Sequence, residues 1–196
     1  MRLFIAIELD DGIRNRIAQF IENTRGLAPS ARWVRPESLH VTLKFIGEQP
    51  EESIENIKRK LEIIESPAFE LALNRSGFFP DSRSPRVFWI GVEAGPSLAA
   101  LADLIDTNLA ALGIAKEERA FNPHLTLARG DATTRRTGGS KTKPAPKFER
   151  LQARMADCSL PDFGVMVAAE FFLYRSQLSS QGSKYSKLAR FPLRQS

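Results

Sequence analysis

Apolar positions along this chain recur with two different periods, and the switches between them mark its elements. "RLFIAIEL" at the start alternates and is rich in Phe, Ile and Leu, which predicts a strand. "DGIRNRIAQFIENTR" then spaces Ile13, Ile17, Phe20 and Ile21 at helical intervals, with Asp10 and Asp11 as an acidic N-terminal cap. Beyond a loop with Pro29 and Pro36, "LHVTLKFI" reads as a strand, and "PEESIENIKRKLEII" as a helix with the stripe Ile54, Ile57, Leu61 and Ile64. "AFELALNRSGFF" and "RVFWIGVE" predict two strands around the turn-rich "PDSRSP", followed by a helix in "GPSLAALADLIDTNLAALG" that Gly113 closes. "NPHLTLA" is a further strand, "FERLQARM" a short helix, and "VMVAAEFFLYRS" and "SKYSKLARFPL" two last strands around a turn at Gly182.

These elements repeat. Arg2 stands 38 residues before His40, and Arg86 stands 38 residues before His124. "RLF" and "RVF" each open a strand that precedes a helix and a His-x-Thr-Leu strand, so the halves share one register, offset by 84. A repeat that occurs twice is too short for a solenoid and predicts an α/β (α+β) fold with pseudo-two-fold symmetry. The expected architecture is a single bilobal domain over residues 1–196, with two antiparallel sheets lining a central cleft and helices outside. The two His-x-Thr-Leu strands would then face one another.

Composition narrows the class. The chain is 42% hydrophobic and 26% charged, has one cysteine (Cys158), and contains no run of the eighteen or so apolar residues that a membrane helix needs. The opening apolar stretch is too short for a signal peptide and runs into acids. A cytoplasmic protein without disulfides or membrane contact is expected, with Cys158 structural. The net charge of +5 favours an anionic partner. Part of that charge lies in residues 130–147, "GDATTRRTGGSKTKPAPK", which read as a mobile basic loop able to track phosphates or merely to be solvated.

Only two histidines occur, and both precede x-Thr-Leu. With 8 Thr and 21 Leu in 196 residues, chance would produce both tails on the order of two times in 100,000, so the pairing carries meaning. Alternation along a strand puts His40 and Thr42 on one face and Val41 and Leu43 on the other; His124 and Thr126 repeat this against Leu125 and Leu127. Two imidazoles facing one pocket can divide acid and base work near neutral pH, which suits in-line displacement at phosphorus. The two threonine hydroxyls would bind non-bridging oxygens, and Arg129, on or just past the strand, would add a cationic contact. Zinc would need a third or fourth ligand from Asp, Glu or the distant Cys158, and no Gly-x-Ser-x-Gly elbow supports a serine nucleophile.

These motifs, with "RLFIAIEL", "WVRPESLHVTLKFIGE", "NPHLTLAR" and "SQLSSQGSKYSKLARFPL" in that order, resemble the two-histidine (2H) phosphoesterase superfamily. Within it they resemble the RNA 2′,3′-cyclic phosphodiesterase family, also called 2′-5′ RNA ligases. The resemblance covers nearly the whole chain. It implies opening of a terminal RNA 2′,3′-cyclic phosphate to a 2′-phosphate with no metal cofactor; we expect no other cofactor, a monomer, and as partner RNA or a nucleotide bearing that cyclic phosphate. The resemblance matches His40, Thr42, His124 and Thr126 to the catalytic positions and Arg129 and Tyr185 to positions near the site; we assign His40 as general acid and His124 as general base, with Thr42, Thr126, Arg129 and Tyr185 as substrate-binding residues. Weak ligation by reversal of the chemistry follows from the same likeness. Other readings stay open: a non-catalytic RNA-binding module, or action on 2′-5′ oligonucleotides or small nucleotide cyclic phosphates. Trp33 and Phe45 could stack a base or belong to the core, Tyr185 could reach the cleft or pack beneath Gly182, and Ser176 and Gly182 look like turn residues.

Overall fold

The first strand, β1 (Arg2–Glu8), buries every residue from Leu3 to Ile7, although its alternation predicts one open face. The reason is its position inside the sheet: Leu3, Ile5 and Ile7 join the main core, while Phe4 and Ala6 are covered on the cleft side by Phe172, Tyr174 and Tyr185. In this computed structural model, which describes residues 1–130, 148–179 and 182–195, β1 lies between β3 (His40–Glu48) and β8 (Glu170–Ser179), with β9 (Gly182–Pro192) at the edge. The order is β3-β1-β8-β9, and every pairing is antiparallel.

A second antiparallel sheet has the order β2-β6-β5-β4-β7, built from β2 (Arg32–Trp33), β6 (His124–Arg129), β5 (Val87–Glu93), β4 (Phe69–Phe79) and β7 (Val165–Ala168). The expected pair of antiparallel sheets is therefore present, and β1 and β3 in one correspond to β5 and β6 in the other. Helices α1 (Asp11–Thr24), α2 (Ile54–Glu62), α3 (Gly95–Ala110) and α4 (Glu149–Asp157), with one-turn 3-10 helices at Arg25–Leu27, Pro36–Ser38 and Glu51–Ser53, complete the described elements. Asp10 caps α1 as expected, its carboxylate accepting a hydrogen bond from the Ile13 N–H at 2.7 Å. Ile13 and Ile17 on α1, and Leu101 and Ile105 on α3, are fully enclosed. Each such side chain contributes about 2 kcal/mol through burial.

Two expectations need correction. "VMVAAEFFLYRS" is not one strand: it leaves the second sheet as β7 at Ala168 and enters the first as β8 at Glu170. Ala169 is the crossing point, and alternation cannot reveal it because the pattern continues through it. The repeat also has two offsets. Thr42 pairs with Ala6 while Thr126 pairs with Trp89, so the histidine strands are 84 residues apart and their partner strands 83. The matching phenylalanines of "RLF" and "RVF" thus point to opposite faces. Phe4 belongs to the aromatic group on the cleft side, and Phe88 to the main core.

The basic stretch 130–147 lies, apart from Gly130, outside the described residues. Cys158 is half-buried and unpaired at the end of α4. Among the described residues, no helix is long and apolar enough to cross a membrane.

Candidate active site

Between the two sheets lies a cavity of about 410 Å³ whose walls include His40, Thr42, His124, Thr126, Arg129 and Tyr185. All six residues that the sequence singles out therefore reach one space. Alternation works as expected for the first four: Val41, Leu43, Leu125 and Leu127, their neighbours in the motifs, are buried in the core on the opposite face.

Arg129 requires something more, because a residue five positions after His124 belongs on the other face of a regular strand. A bulge supplies it. Thr126 pairs with Trp89 and Ala128 with Phe88, which leaves Leu127 as an extra residue and returns Arg129 to the cleft. β3 repeats this device at Leu43, between the pairs Thr42–Ala6 and Lys44–Ile5, and returns Phe45 to the cleft. Phe45 and Arg129 thus hold equivalent posts in the two halves. Phe45 is 63% exposed and lines the cavity.

The histidines are held alike. Nδ1 of His40 lies 2.7 Å from the Ser38 carbonyl oxygen, and Nδ1 of His124 lies 2.7 Å from that of Asn122, each two residues upstream. A carbonyl only accepts, so each Nδ1 carries a hydrogen and Nε2 remains as the proton-exchanging nitrogen of a ring that lines the cavity.

The surroundings differ. His40 sits beside Phe4 at 4.9 Å and meets the ring of Tyr185 edge-on at 5.2 Å, with Tyr174 stacked on Phe4 behind them. His124 meets Phe79 edge-on at 4.9 Å, and Phe79 stacks on Trp89 at 5.0 Å. Trp89 in turn lies so close to Gly77 that a Cβ there would come within 2.3 Å of the indole. Its Nε1 is buried without a hydrogen-bond partner among the described residues.

Burial is the main influence on both imidazoles and lowers their pKa below the ordinary 6.5. The bonds from Ser38 and Asn122 oppose this, and the positive charge of Arg129 adds to it on both rings; His40 is also disfavoured as a cation by His124. Burial lowers the Arg129 pKa too, with Tyr185 raising it and Arg32 lowering it. Burial raises the Tyr174 phenol, and the Glu8 carboxylate adds to the rise.

The cavity thus brings two imidazoles of lowered pKa together with the hydroxyl-bearing Thr42 and Thr126 and the guanidinium-bearing Arg129. Among the described residues, no three of His, Cys, Asp and Glu come together so as to hold a metal ion.

The family model described as LigT like Phosphoesterase matches residues 7–89. An RNA 2′,3′-cyclic phosphodiesterase of Archaeoglobus fulgidus is 32% identical over 195 residues, which cover 97% of this chain and 99% of the relative. The chain belongs to the LigT-like phosphoesterase family. Solved structures agree with the membership. TT0787 of Thermus thermophilus superimposes with a TM-score of 0.78 at 28% identity, over 100% of this chain and 99% of that one. E. coli LigT complexed with 3′-AMP does so with a TM-score of 0.75 at 28% identity, over 98% and 97%.

In this LigT-like phosphoesterase, residues outside the two motifs also shape the cleft. Ser176 is not a turn residue: it pairs with Tyr185 within the β8–β9 ladder and lines the cavity. Gly182 begins β9 opposite Ser179. Trp33 is structural, its Nε1 donating to the Ala28 carbonyl at 3.1 Å and its ring packed edge-on against Phe88. Phe4, Phe79 and Trp89 are brought to the histidines by pairing across distant strands, which leaves no local signal.

Proposed function

We propose that this cleft hydrolyses the 2′,3′-cyclic phosphate at an RNA end to a 2′-phosphate, with the two histidines as acid and base and with no metal. The observation that carries the reading is the pair of matched Nδ1–carbonyl contacts, which leave two Nε2 atoms for proton transfer in one cavity. The names of the curated relatives support the substrate.

His124 is the base. It is the more solvent-exposed of the two, where water can enter, and it is neutral in the resting site. It takes a proton from water as the oxygen attacks phosphorus. The bond from phosphorus to the 3′ oxygen breaks, and His40 gives that oxygen its proton. Burial disfavours the His40 cation, so the anionic phosphate helps to hold it protonated and the cation is a strong acid once formed. Thr42, Thr126 and Arg129 bind the non-bridging oxygens as charge develops, and Tyr185 closes the wall beside His40. Phe45 and Phe79 offer ring surface to the terminal base. A 5′-hydroxyl in place of water attacks the same phosphorus, giving its proton to His124 while the bond to the 3′ oxygen breaks and His40 protonates that oxygen, and the product is a 2′-5′ linkage. All these groups come from one chain, so a monomer acting on cytoplasmic RNA ends suffices.

The test is incubation in EDTA with a short RNA ending in a 2′,3′-cyclic phosphate, alongside His40→Ala and His124→Ala. Conversion to the 2′-phosphate by wild type, with both variants slowed by about 100-fold or more, is expected. RNA bound but unconverted would instead make the cleft a binding module.

A further inference from the structure

A second, smaller cavity of about 160 Å³ opens beside the first, and its walls include Arg32, Arg35, Ser38, Arg129 and Ser183. Ser38, Arg129, Ser183 and Tyr185 line both cavities, so the two spaces share a wall. Its size is that of about five water molecules, room for one phosphate group and part of its hydration.

The charge here is one-sided. β2 is only two residues long, and it places Arg32 directly opposite Arg129 on β6. Like charges opposite one another across a ladder are destabilising. Among the described residues, neither Arg32 nor Arg129 has a carboxylate partner. Arg32 also disfavours the charged form of Arg129, after the larger influence of burial. Arg35 adds a third cation from the turn before His40. Guanidinium groups lining one cavity with the hydroxyl-bearing Ser38, Ser183 and Tyr185 form a recognition surface for phosphate oxygens.

We propose that this cavity binds the phosphate on the 5′ oxygen of the nucleotide whose cyclic phosphate lies between the histidines. The inference rests on the two-histidine reading above. Its logic is chemical: in that nucleotide the 2′ and 3′ oxygens are both consumed by the cycle, so the remaining phosphate-bearing oxygen is the 5′ one. An anion site next to the cyclic phosphate takes that group, either as a diester within an RNA chain or as a terminal monoester. Arg32 and Arg35 are therefore specificity residues, which tell a chain end from a bare nucleoside cyclic phosphate.

The experiment compares kcat/KM for three substrates: adenosine 2′,3′-cyclic phosphate, its 5′-phosphorylated form, and the dinucleotide that ends in the same adenosine cyclic phosphate. Wild type is expected to prefer the 5′-substituted substrates by about tenfold or more, the gain of a charge-assisted hydrogen bond, and added salt is expected to shrink the preference. Arg32→Gln brings the ratio close to one, Arg35→Gln lowers it, and Arg32→Lys keeps part of it. The arginine side chains are replaced while the backbone pairing of β2 with β6 is retained. Gain with the dinucleotide assigns the site to a chain phosphodiester; gain with the monoester alone assigns it to a nucleotide. A wild-type ratio near one, with adenosine 2′,3′-cyclic phosphate turned over, overturns the subsite and leaves the two-histidine reading standing. So does a preference that survives Arg32→Gln unchanged. Turnover of none of the three overturns the reading beneath it and the subsite together.

Discussion

Lys44, on the strand that carries His40, is ion-paired with Asp106, on the helix that precedes the strand carrying His124. The bulge at Leu43 turns the lysine toward the core, where its side chain is 5% exposed and Nζ also donates to the Ala115 carbonyl at 2.9 Å. The pair ties the two halves together behind the cleft. Removing one partner strands the other charge out of water. Asp106→Ala is expected to cost about 3 kcal/mol, measured by urea denaturation, and a Lys44→Met/Asp106→Leu double variant to recover most of it. A loss below about 1 kcal/mol for Asp106→Ala would mean that Lys44 regains water and that the pair ties nothing.

Burial lowers the pKa of both histidines, and under the proposed acid–base mechanism this sets the direction of the pH profile. The base must be neutral, so activity rises with pH through one value below 6.5; the acid must be charged, so activity falls through the other, also below 6.5. The kcat/KM profile is expected to be a bell centred on the acid side of pH 6.5. In kcat, which reports the bound complex, both limbs move upward, because a bound phosphate anion favours the imidazolium. A kcat/KM profile centred above pH 7 would contradict the burial of the pair. Stability follows the same sign: the contribution of each neutral buried imidazole is present above pH 6.5 and lost as pH falls through the folded-state value.

Arg129 acts on those limbs from a distance set by the second bulge. Its charge lowers both histidines, so Arg129→Gln is expected to shift both limbs of the kcat/KM profile to higher pH. The same variant loses about 100-fold in kcat/KM, the scale of one missing donor to developing charge. Lost activity with unmoved limbs would place the guanidinium away from the imidazoles and refute its double role.

Gly77 tests the aromatic wall behind His124. A methyl group there would sit 2.3, 2.7 and 2.8 Å from three indole carbons of Trp89, which stacks on Phe79. Gly77→Ala is expected to cost about 1–3 kcal/mol in thermal unfolding and to lower kcat as Trp89 pushes Phe79 against the imidazole. Adding Trp89→Phe makes room and recovers stability. Unchanged melting in Gly77→Ala would show that the indole moves freely.

Much of this site is legible in the chain itself. Alternation alone puts His40, Thr42, His124 and Thr126 on faces opposite to Val41, Leu43, Leu125 and Leu127, because strand geometry has a fixed period of two. Where the period breaks, legibility ends. Arg129 reaches the cleft only through the extra residue at Leu127, and Ala169 passes the chain between sheets without interrupting its apolar run. β2 is too short to leave a pattern, yet its backbone sets Arg32 against Arg129. Phe79 and Trp89 meet His124 because β5 pairs with β4 on one side and, across the whole of α3, with β6 on the other, which no local period records.

Two copies of one surface, set face to face, make a cleft with no head or tail. A chain end could enter it either way round, and in one of them acid and base would exchange places. Phe45 on one wall and Arg129 on the equivalent post of the other end that degeneracy, since one offers a ring and the other a charge. Repetition furnishes the matched pair of imidazoles; mismatches between the repeats, Phe45 against Arg129 among them, furnish a sense of direction.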